Sequence, residues 1–291
     1  MSGDPAGGPT RPADCPATLG EAWRWARRQI DTVDARVLLR EACDCPDGRW
    51  ISHGETALDP PQRARFAGWV ARRAAGEPVA YLLGWREFHG HRLRVTPAVV
   101  IPRPDTETLV DAALSQIPAD APTEVLELGT GSGCIAIAIA LARPLARVLA
   151  TDASDAALAV AADNVRALGA TTVQLARSDW YGAIDRCFDL IVSNPPYIAP
   201  DDPHLCHGDL RHEPRSALSP GGDGLDALRA IVAGAPQCLR PGGWLLLEHG
   251  WDQGPALADL LAAAGFVSRL AYRDLGGQHR VSGGQRPRQP M

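Results

Sequence analysis

The chain has 291 residues, 45% hydrophobic and 22% charged, with a formal net charge of −5; this is ordinary globular composition with enough apolar mass for a core. The acidic balance argues against a protein that grips nucleic acid by its phosphates, and all 29 basic residues are arginine, which reflects a G+C-rich coding bias. No apolar run approaches the roughly 20 residues that span a bilayer, and the cysteines, including the lone CxC of Cys43 and Cys45, show no paired metal or disulfide spacing, so the expectation is a cytoplasmic protein in contact with no membrane and holding no metal.

Residues 1–16 lack the charged-then-apolar layout of a secretory signal, and their prolines with Asp4 and Asp14 oppose an amphipathic transit peptide; a disordered leader is expected. Residues 17–84 then read as a small helical bundle. Leu19, Ala22, Trp23 and Ala26 recur at helical spacing, as do Val33, Val37, Leu38 and Ala42. A third helix is predicted from Pro60 to Ala75, opened by two prolines and closed by Gly76. Residues 85–95 alternate around His89, Gly90 and His91, the pattern of a β-hairpin, and 85–103 is expected to link two parts. The segment IPRPDTETLVDAAL begins another helix, where Asp105 and Glu107 complement the positive N-terminal dipole.

From Glu124 onward the pattern becomes strand, helix, strand, helix. Strands are predicted at 124–128, 147–151, 172–176, 188–193, 243–249 and 266–272, and helices at 133–142, 154–168, 225–239 and 254–264. Such alternation implies an α/β domain with a mostly parallel sheet covered on both faces, here residues 104–284. Arg280 and Val281 could form an antiparallel last strand, and 285–291 a flexible tail.

Four motifs along this domain carry chemistry. VLELGTGSG places Glu127 at the end of an apolar strand and Gly129, Gly131 and Gly133 in the turn to a helix; glycines allow the tight turn and close approach, and the helix N-terminus offers N–H groups to an anion. Asp152 ends the next strand, where a carboxylate accepts from both ribose hydroxyls or caps the following helix. In SDWY, Asp179 can accept from an adenine amino group while Trp180 walls off the ring or anchors the loop in the core.

The fourth is IVSNPPYI, which puts Asn194 at the carboxyl edge of the sheet. Pro195 and Pro196 stiffen the loop and remove donors. What remains is a pair of acceptors, the Asn194 side-chain oxygen and the Pro195 carbonyl, for a single NH₂ group. An amide or exocyclic amine has a delocalised lone pair and is a poor nucleophile; fixing both N–H directions aims that lone pair and spreads the positive charge that develops. Tyr197 offers a flat face to a planar target or a cation.

These motifs stand within a chain that resembles the release-factor glutamine methyltransferases over roughly residues 19–283. GEPVAYLLGWREFHG, VTPAVVIPRPDTETLV, LELGTGSG, SDW, SNPPYI, RHEPRSAL, GGWLLLEHG and DLGGQHRV carry the likeness in order. The resemblance implies an N-terminal helical domain and a Rossmann-like class I methyltransferase sheet. It implies methyl transfer from S-adenosylmethionine, with S-adenosylhomocysteine as product, to the glutamine of the Gly-Gly-Gln loop in class-1 peptide chain release factors. By the same likeness Gly129, Thr130, Gly131, Ser132 and Gly133 line the cofactor, Asp152 holds its ribose, and Trp180 lies against its base. Asn194 joins the cofactor and substrate sites, Pro195, Pro196 and Tyr197 bind the target glutamine, and Arg103 and Glu107 stand beside the pocket. A monomer is expected.

The principal rival is a nucleic-acid base-amine methyltransferase, which uses the same loop but needs a basic gripping surface. A non-enzymatic scaffold would not need an intact pocket, and a nicotinamide dehydrogenase gives the Asn-Pro-Pro-Tyr loop no work. Gly-Gly-Gln also occurs twice within this chain, at 276–278 in an expected turn and at 283–285 in the expected mobile tail, where it could visit the active site as a substrate in cis.

Overall fold

The protein is described by a computed structural model covering residues 15–46 and 48–288, so the expected leader, apart from Cys15 and Pro16, lies outside the described residues. The chain divides into two compact units after Gly84. Among the described residues no helix is long and apolar enough to cross a membrane.

The first unit holds α1 (Leu19–Ala26), α2 (Thr32–Cys43), α3 (Arg49–Ser52), α4 (Pro60–Ala74) and α5 (Val79–Leu83). Asp31 caps α2 by accepting from Val33 N, and Asp59 and Gln62 form a capping box on α4. The buried stripe of α2 is Ala35, Leu38, Leu39 and Ala42, an i, i+3, i+4, i+7 face. It is rotated from the expected one, and Val33 stands 56% exposed. Leu38, Leu39, Phe66 and Val70 centre this core. The short α3 and α5 escaped the periodicity because they have only 4 and 5 residues.

The second unit begins with the hairpin of β1 (Trp85–Phe88) and β2 (His91–Arg94). The hairpin is not a free linker. Asn164 clamps Arg94 by accepting from its N–H at 2.7 Å and donating to its carbonyl at 3.0 Å, and Phe88 and Leu93 belong to the unit's core. Pro104 opens a short 3₁₀ turn that runs into α6 (Glu107–Gln116). There follow β3 (Thr123–Leu128), α7 (Cys134–Ala142), β4 (Ala146–Asp152), α8 (Asp155–Leu168), β5 (Val173–Arg177) and β6 (Phe188–Ser193). After a segment of 3₁₀ turns come α9 (Arg215–Leu218), α10 (Asp226–Cys238), β7 (Leu239–Glu248), α11 (Gly254–Ala263), β8 (Val267–Arg273) and β9 (His279–Gln285).

The sheet runs β5-β4-β3-β6-β7-β9-β8, parallel from β5 to β7 and antiparallel at β9. Strand alternation divides its side chains between two cores. Val125, Leu190, Val192 and Leu246 meet α6 and α7 on one face, while Leu126, Ile191, Leu245 and Leu247 meet α10 and α11 on the other. The chain leaves β3 toward β4 and returns to pair β6 on the other side of β3. The loops after β3 and β6 therefore part at the carboxyl edge, the place where such sheets bind ligands.

The tail expectation is corrected here. Gly283, Gly284 and Gln285 are the end of β9, paired with Leu246, Leu245 and Trp244 of β7, and Arg286 N continues to Gly243 O. A Cβ on Gly284 would stand 2.7 Å from Phe266 Cβ, so this glycine permits close packing inside a sheet. The tripeptide at 283–285 is held by its ladder and does not reach the active site as a mobile segment. Gly276–Gln278 does form the β8–β9 turn, pinned by Gln278 N donating to Asp274 at 2.9 Å.

Candidate active site

At the carboxyl edge a cavity of about 440 Å³ is lined by residues from the loops after β3, β4, β5 and β6 and from the segments 98–106 and 210–218. Gly129 and Gly131 lie on its wall with φ of 72° and 55°, and a Cβ on either would meet no protein atom within 4 Å. These two glycines therefore serve the left-handed turn and keep the wall low toward the cavity. Gly133 does not line the cavity as expected. A Cβ there would lie 3.3 Å from Ala161 Cβ, so its smallness serves the packing of α7 against α8.

Asp152 accepts from Gly131 N through Oδ2 and from Ser154 N through Oδ1, both at 2.9 Å. It does not cap α8; Ser154 does that by accepting from Ala157 N. The carboxylate thus ties the glycine loop to β4 and keeps lone pairs toward the cavity it lines. Asp179 and Trp180 also line the cavity. Trp180 takes φ 44°, its carbonyl accepts from Ser178 Oγ at 2.7 Å, and it packs on the α10 side of the core. Trp180 therefore lines the cavity and anchors its loop in the core at once.

Glu127 stands beneath the loop instead of in the cavity. Its Oε2 accepts from Thr130 Oγ1 at 2.6 Å and from Ala136 N at 3.1 Å, while Oε1 is buried with no hydrogen-bond partner. Burial raises its pKa to about 8. An unfolded glutamate ionises near ~4.3, so between these values the folded chain retains a proton that the unfolded chain has lost, and stability falls as pH rises. The thermal midpoint of the cofactor-free protein is accordingly expected to drop as pH rises from about 5 toward about 8. Glu127→Gln is expected to flatten that slope; a slope unchanged in the variant would assign the effect elsewhere.

The loop after β6 is anchored on every side. Asn194 Nδ2 donates to Thr106 Oγ1 at 3.1 Å, which commits the amide nitrogen and leaves Oδ1 as the acceptor. Tyr197 OH donates to Glu248 Oε1 at 3.2 Å, and its carbonyl accepts from Gln253 Nε2 at 2.9 Å. Gly224 passes so near that a Cβ there would lie 2.8 Å from that carbonyl. Asn194, Pro195, Pro196 and Tyr197 all line the cavity.

Arg103 also lines it and pairs with Glu213, whose other oxygen accepts from Ile101 N at 3.2 Å. Burial raises the pKa of Glu213, against the pull of Arg103. This pair ties the strip 98–103 to the 3₁₀ segment that closes the cavity. Glu107 is not in the cavity wall. Its carboxylate accepts from His89 N at 2.8 Å and so fixes the hairpin turn to α6. Sequence reasoning missed Thr106, Glu213 and Glu248. Glu248 did leave a signal, a lone charge ending the apolar run GGWLLLE, as Glu127 does in VLE; Glu213, in an irregular loop, left none.

Comparison with known proteins agrees with this arrangement. Residues 106–224 match the methyltransferase small domain, and residues 21–84 match the PrmC N-terminal domain. The release factor glutamine methyltransferase of Xylella fastidiosa is 52% identical over 264 residues, covering 90% of this chain and 96% of that protein. The protein of the same description from Burkholderia pseudomallei is 49% identical, covering 96% and 99%. Among solved structures, a methyltransferase from Pyrococcus furiosus is similar with a TM-score of 0.53 at 17% identity, over 75% of this chain and 97% of that one. The last likeness bears on the fold, which is that of the class I methyltransferases.

Proposed function

The chain belongs to the release factor glutamine methyltransferase family, and we propose that the cavity at its sheet edge methylates the side-chain amide nitrogen (N5) of the glutamine in the Gly-Gly-Gln loop of class-1 release factors. The observation that carries this reading is the commitment of Asn194 Nδ2 to Thr106. With that nitrogen engaged, Asn194 Oδ1 and the neighbouring Pro195 carbonyl stand as two acceptors for one NH₂ group.

S-adenosylmethionine, the methyl donor, supplies an electrophilic methyl on a sulfonium sulfur. The residues present fit such a cofactor: a cavity within the ~300–1,000 Å³ of small-molecule sites, two glycines whose Cβ positions are clear, and a carboxylate with lone pairs for ribose hydroxyls. Gly129, Thr130, Gly131 and Ser132 would hold its methionine end, Asp152 its ribose, and Asp179 and Trp180 its base.

Asn194 Oδ1 and Pro195 O orient the target amide so that its lone pair faces the methyl carbon. The bound cofactor would supply its methyl group to that nitrogen and leave as S-adenosylhomocysteine, and the nitrogen so held would give up one N–H proton. The two acceptors stabilise the positive charge at nitrogen during transfer. Pro196 fixes the loop, and the Tyr197 ring, tethered through its hydroxyl, gives the planar amide a face. The enzyme acts as a cytoplasmic monomer on a protein substrate, without nucleic acid or membrane.

The test is methyl transfer from labelled S-adenosylmethionine to a purified class-1 release factor, with its Gly-Gly-Gln glutamine replaced by alanine as the control. Label is expected on the unaltered factor alone. Label on neither, with cofactor bound, would move the acceptor to an exocyclic base amine.

A further inference from the structure

Glu248 ends β7 on the same face as Leu246, since alternate residues of a strand share a face. That face packs against α6 and brings the carboxylate under the Asn-Pro-Pro-Tyr loop. The residue is 1% exposed yet contributes to the cavity wall. Its Oε1 accepts from Tyr197 OH at 3.2 Å. Its Oε2 is buried with no hydrogen-bond partner, an open acceptor, and the nearby Thr106 hydroxyl favours the ionised carboxyl.

Thr106, itself 2% exposed, accepts from Asn194 Nδ2 at 3.1 Å. A hydroxyl carries a single hydrogen, and a carboxylate only accepts. An ionised Glu248 offers that open oxygen to the Thr106 hydrogen; the Thr106 oxygen is then left to accept, and the Asn194 amide turns its NH₂ inward to Thr106. The opposite flip would aim donors at the donors of the target amide.

We propose that Glu248 is a positioning residue for methyl transfer: acting through Thr106 it sets which end of the Asn194 amide meets the substrate, and through Tyr197 it fixes the ring beside it. This rests on the reading of the loop given above, with Asn194 as acceptor of the target amide. The direction of the chain depends on the proton at Glu248. Burial raises its pKa to about 7, Thr106, Arg280 and Tyr197 pull it down, and Asp105 pushes it up. The charged and titratable groups facing it are Tyr197 of the loop, Asp105 before α6, the Cys134 thiol of α7, and Arg280 of β9. Arg280 is in turn paired to Asp105 at 3.1 Å and to Asp274 at 3.2 Å. A protonated Glu248 can donate to Thr106 and reverse the chain.

The experiment compares Glu248→Gln, Thr106→Val and Thr106→Ser with the wild type in steady-state transfer to a release factor. Glu248→Gln and Thr106→Val are expected to lower kcat about 10-fold or more, as loss of a supporting partner does in a preorganised site, with KM for the release factor little changed. Thr106→Ser, which keeps the hydroxyl, is expected to recover most of the turnover lost in Thr106→Val. Wild-type kcat should fall as pH drops through about 7, and Glu248→Gln should lose that limb.

A second readout needs no substrate. The nitrogen-15 side-chain amide resonance of Asn194, assigned with Asn194→Ala, should shift with pH through the same range in the wild type and stay still in Glu248→Gln. Wild-type kcat with an intact acidic limb in Glu248→Gln overturns the inference. A wild type that labels no release factor defeats the functional reading instead, and the amide resonance then decides the inference by itself. If Glu248→Gln does not fold, the Thr106 pair decides it.

Discussion

Asn194→Ala is expected to lower kcat for release-factor methylation by about 10²-fold or more, the loss seen when one preorganised polar contact is removed from a transition state. The side chain has no other role that would spread the damage. Among the described residues its side-chain tether is the 3.1 Å donation to Thr106, and the strand before it is held by its own ladder to β3 and β7. Affinity for S-adenosylmethionine should therefore persist in part, since the glycine loop and Asp152 remain. Asn194→Asp makes the sharper comparison. A carboxylate cannot donate to Thr106, so the same position loses its fixed polarity while keeping its shape, and turnover should fall with little change in thermal midpoint. Single-turnover transfer with saturating cofactor reads this directly. Near-wild-type turnover in Asn194→Ala would remove the loop from the mechanism.

Asp152→Ala is expected to raise the cofactor Kd by about 10²-fold or more, because a hydrogen bond to a charged group is worth ~1.5–3 kcal/mol and two are lost with the ribose. A further part of the effect comes through the protein. Asp152 holds Gly131 N at 2.9 Å, so its removal loosens the loop that cradles the other end of the ligand. The variant should still fold, since α8 is capped by Ser154 and not by Asp152. Titration calorimetry measures the Kd, and the rise in thermal midpoint on adding cofactor should shrink with it, as binding to the folded state alone requires. A wild-type Kd in this variant would return Asp152 to a purely structural part in the loop.

The two motifs behind these results were legible because each is contiguous. Glycines at 129 and 131 and the prolines at 195 and 196 act through their own backbone, so spacing within a few residues was enough to place them at the ends of β3 and β6. The strands and helices of the sheet were legible for a related reason. Long apolar runs and flanking glycines mark them locally, and their observed bounds depart by a residue or so except at β7, where residues 239–242 join the strand ahead of Gly243. The surroundings of Gly133, Glu107 and Glu127 were not legible for the same reason. Each lies within two residues of a cavity residue in the chain, but Gly133 faces α8 and the carboxylates of Glu107 and Glu127 turn to the hairpin and to the underside of the loop.

What the sequence determined by itself is the architecture of the second unit, the glycine turn after β3 and the stiff proline loop after β6, because these follow from periodicity and from backbone constraints inside single segments. What only the tertiary structure decided is everything that depends on register between segments far apart. The Glu248 carboxylate meets Tyr197 because β7 alternation turns it toward α6; Glu213 reaches Arg103 across 110 positions of chain; and Gly283 and Gly284 lie in a ladder instead of a free tail. Burial then raises the pKa of both carboxyls, and burial is a property of the packed sheet that no single segment of the chain contains.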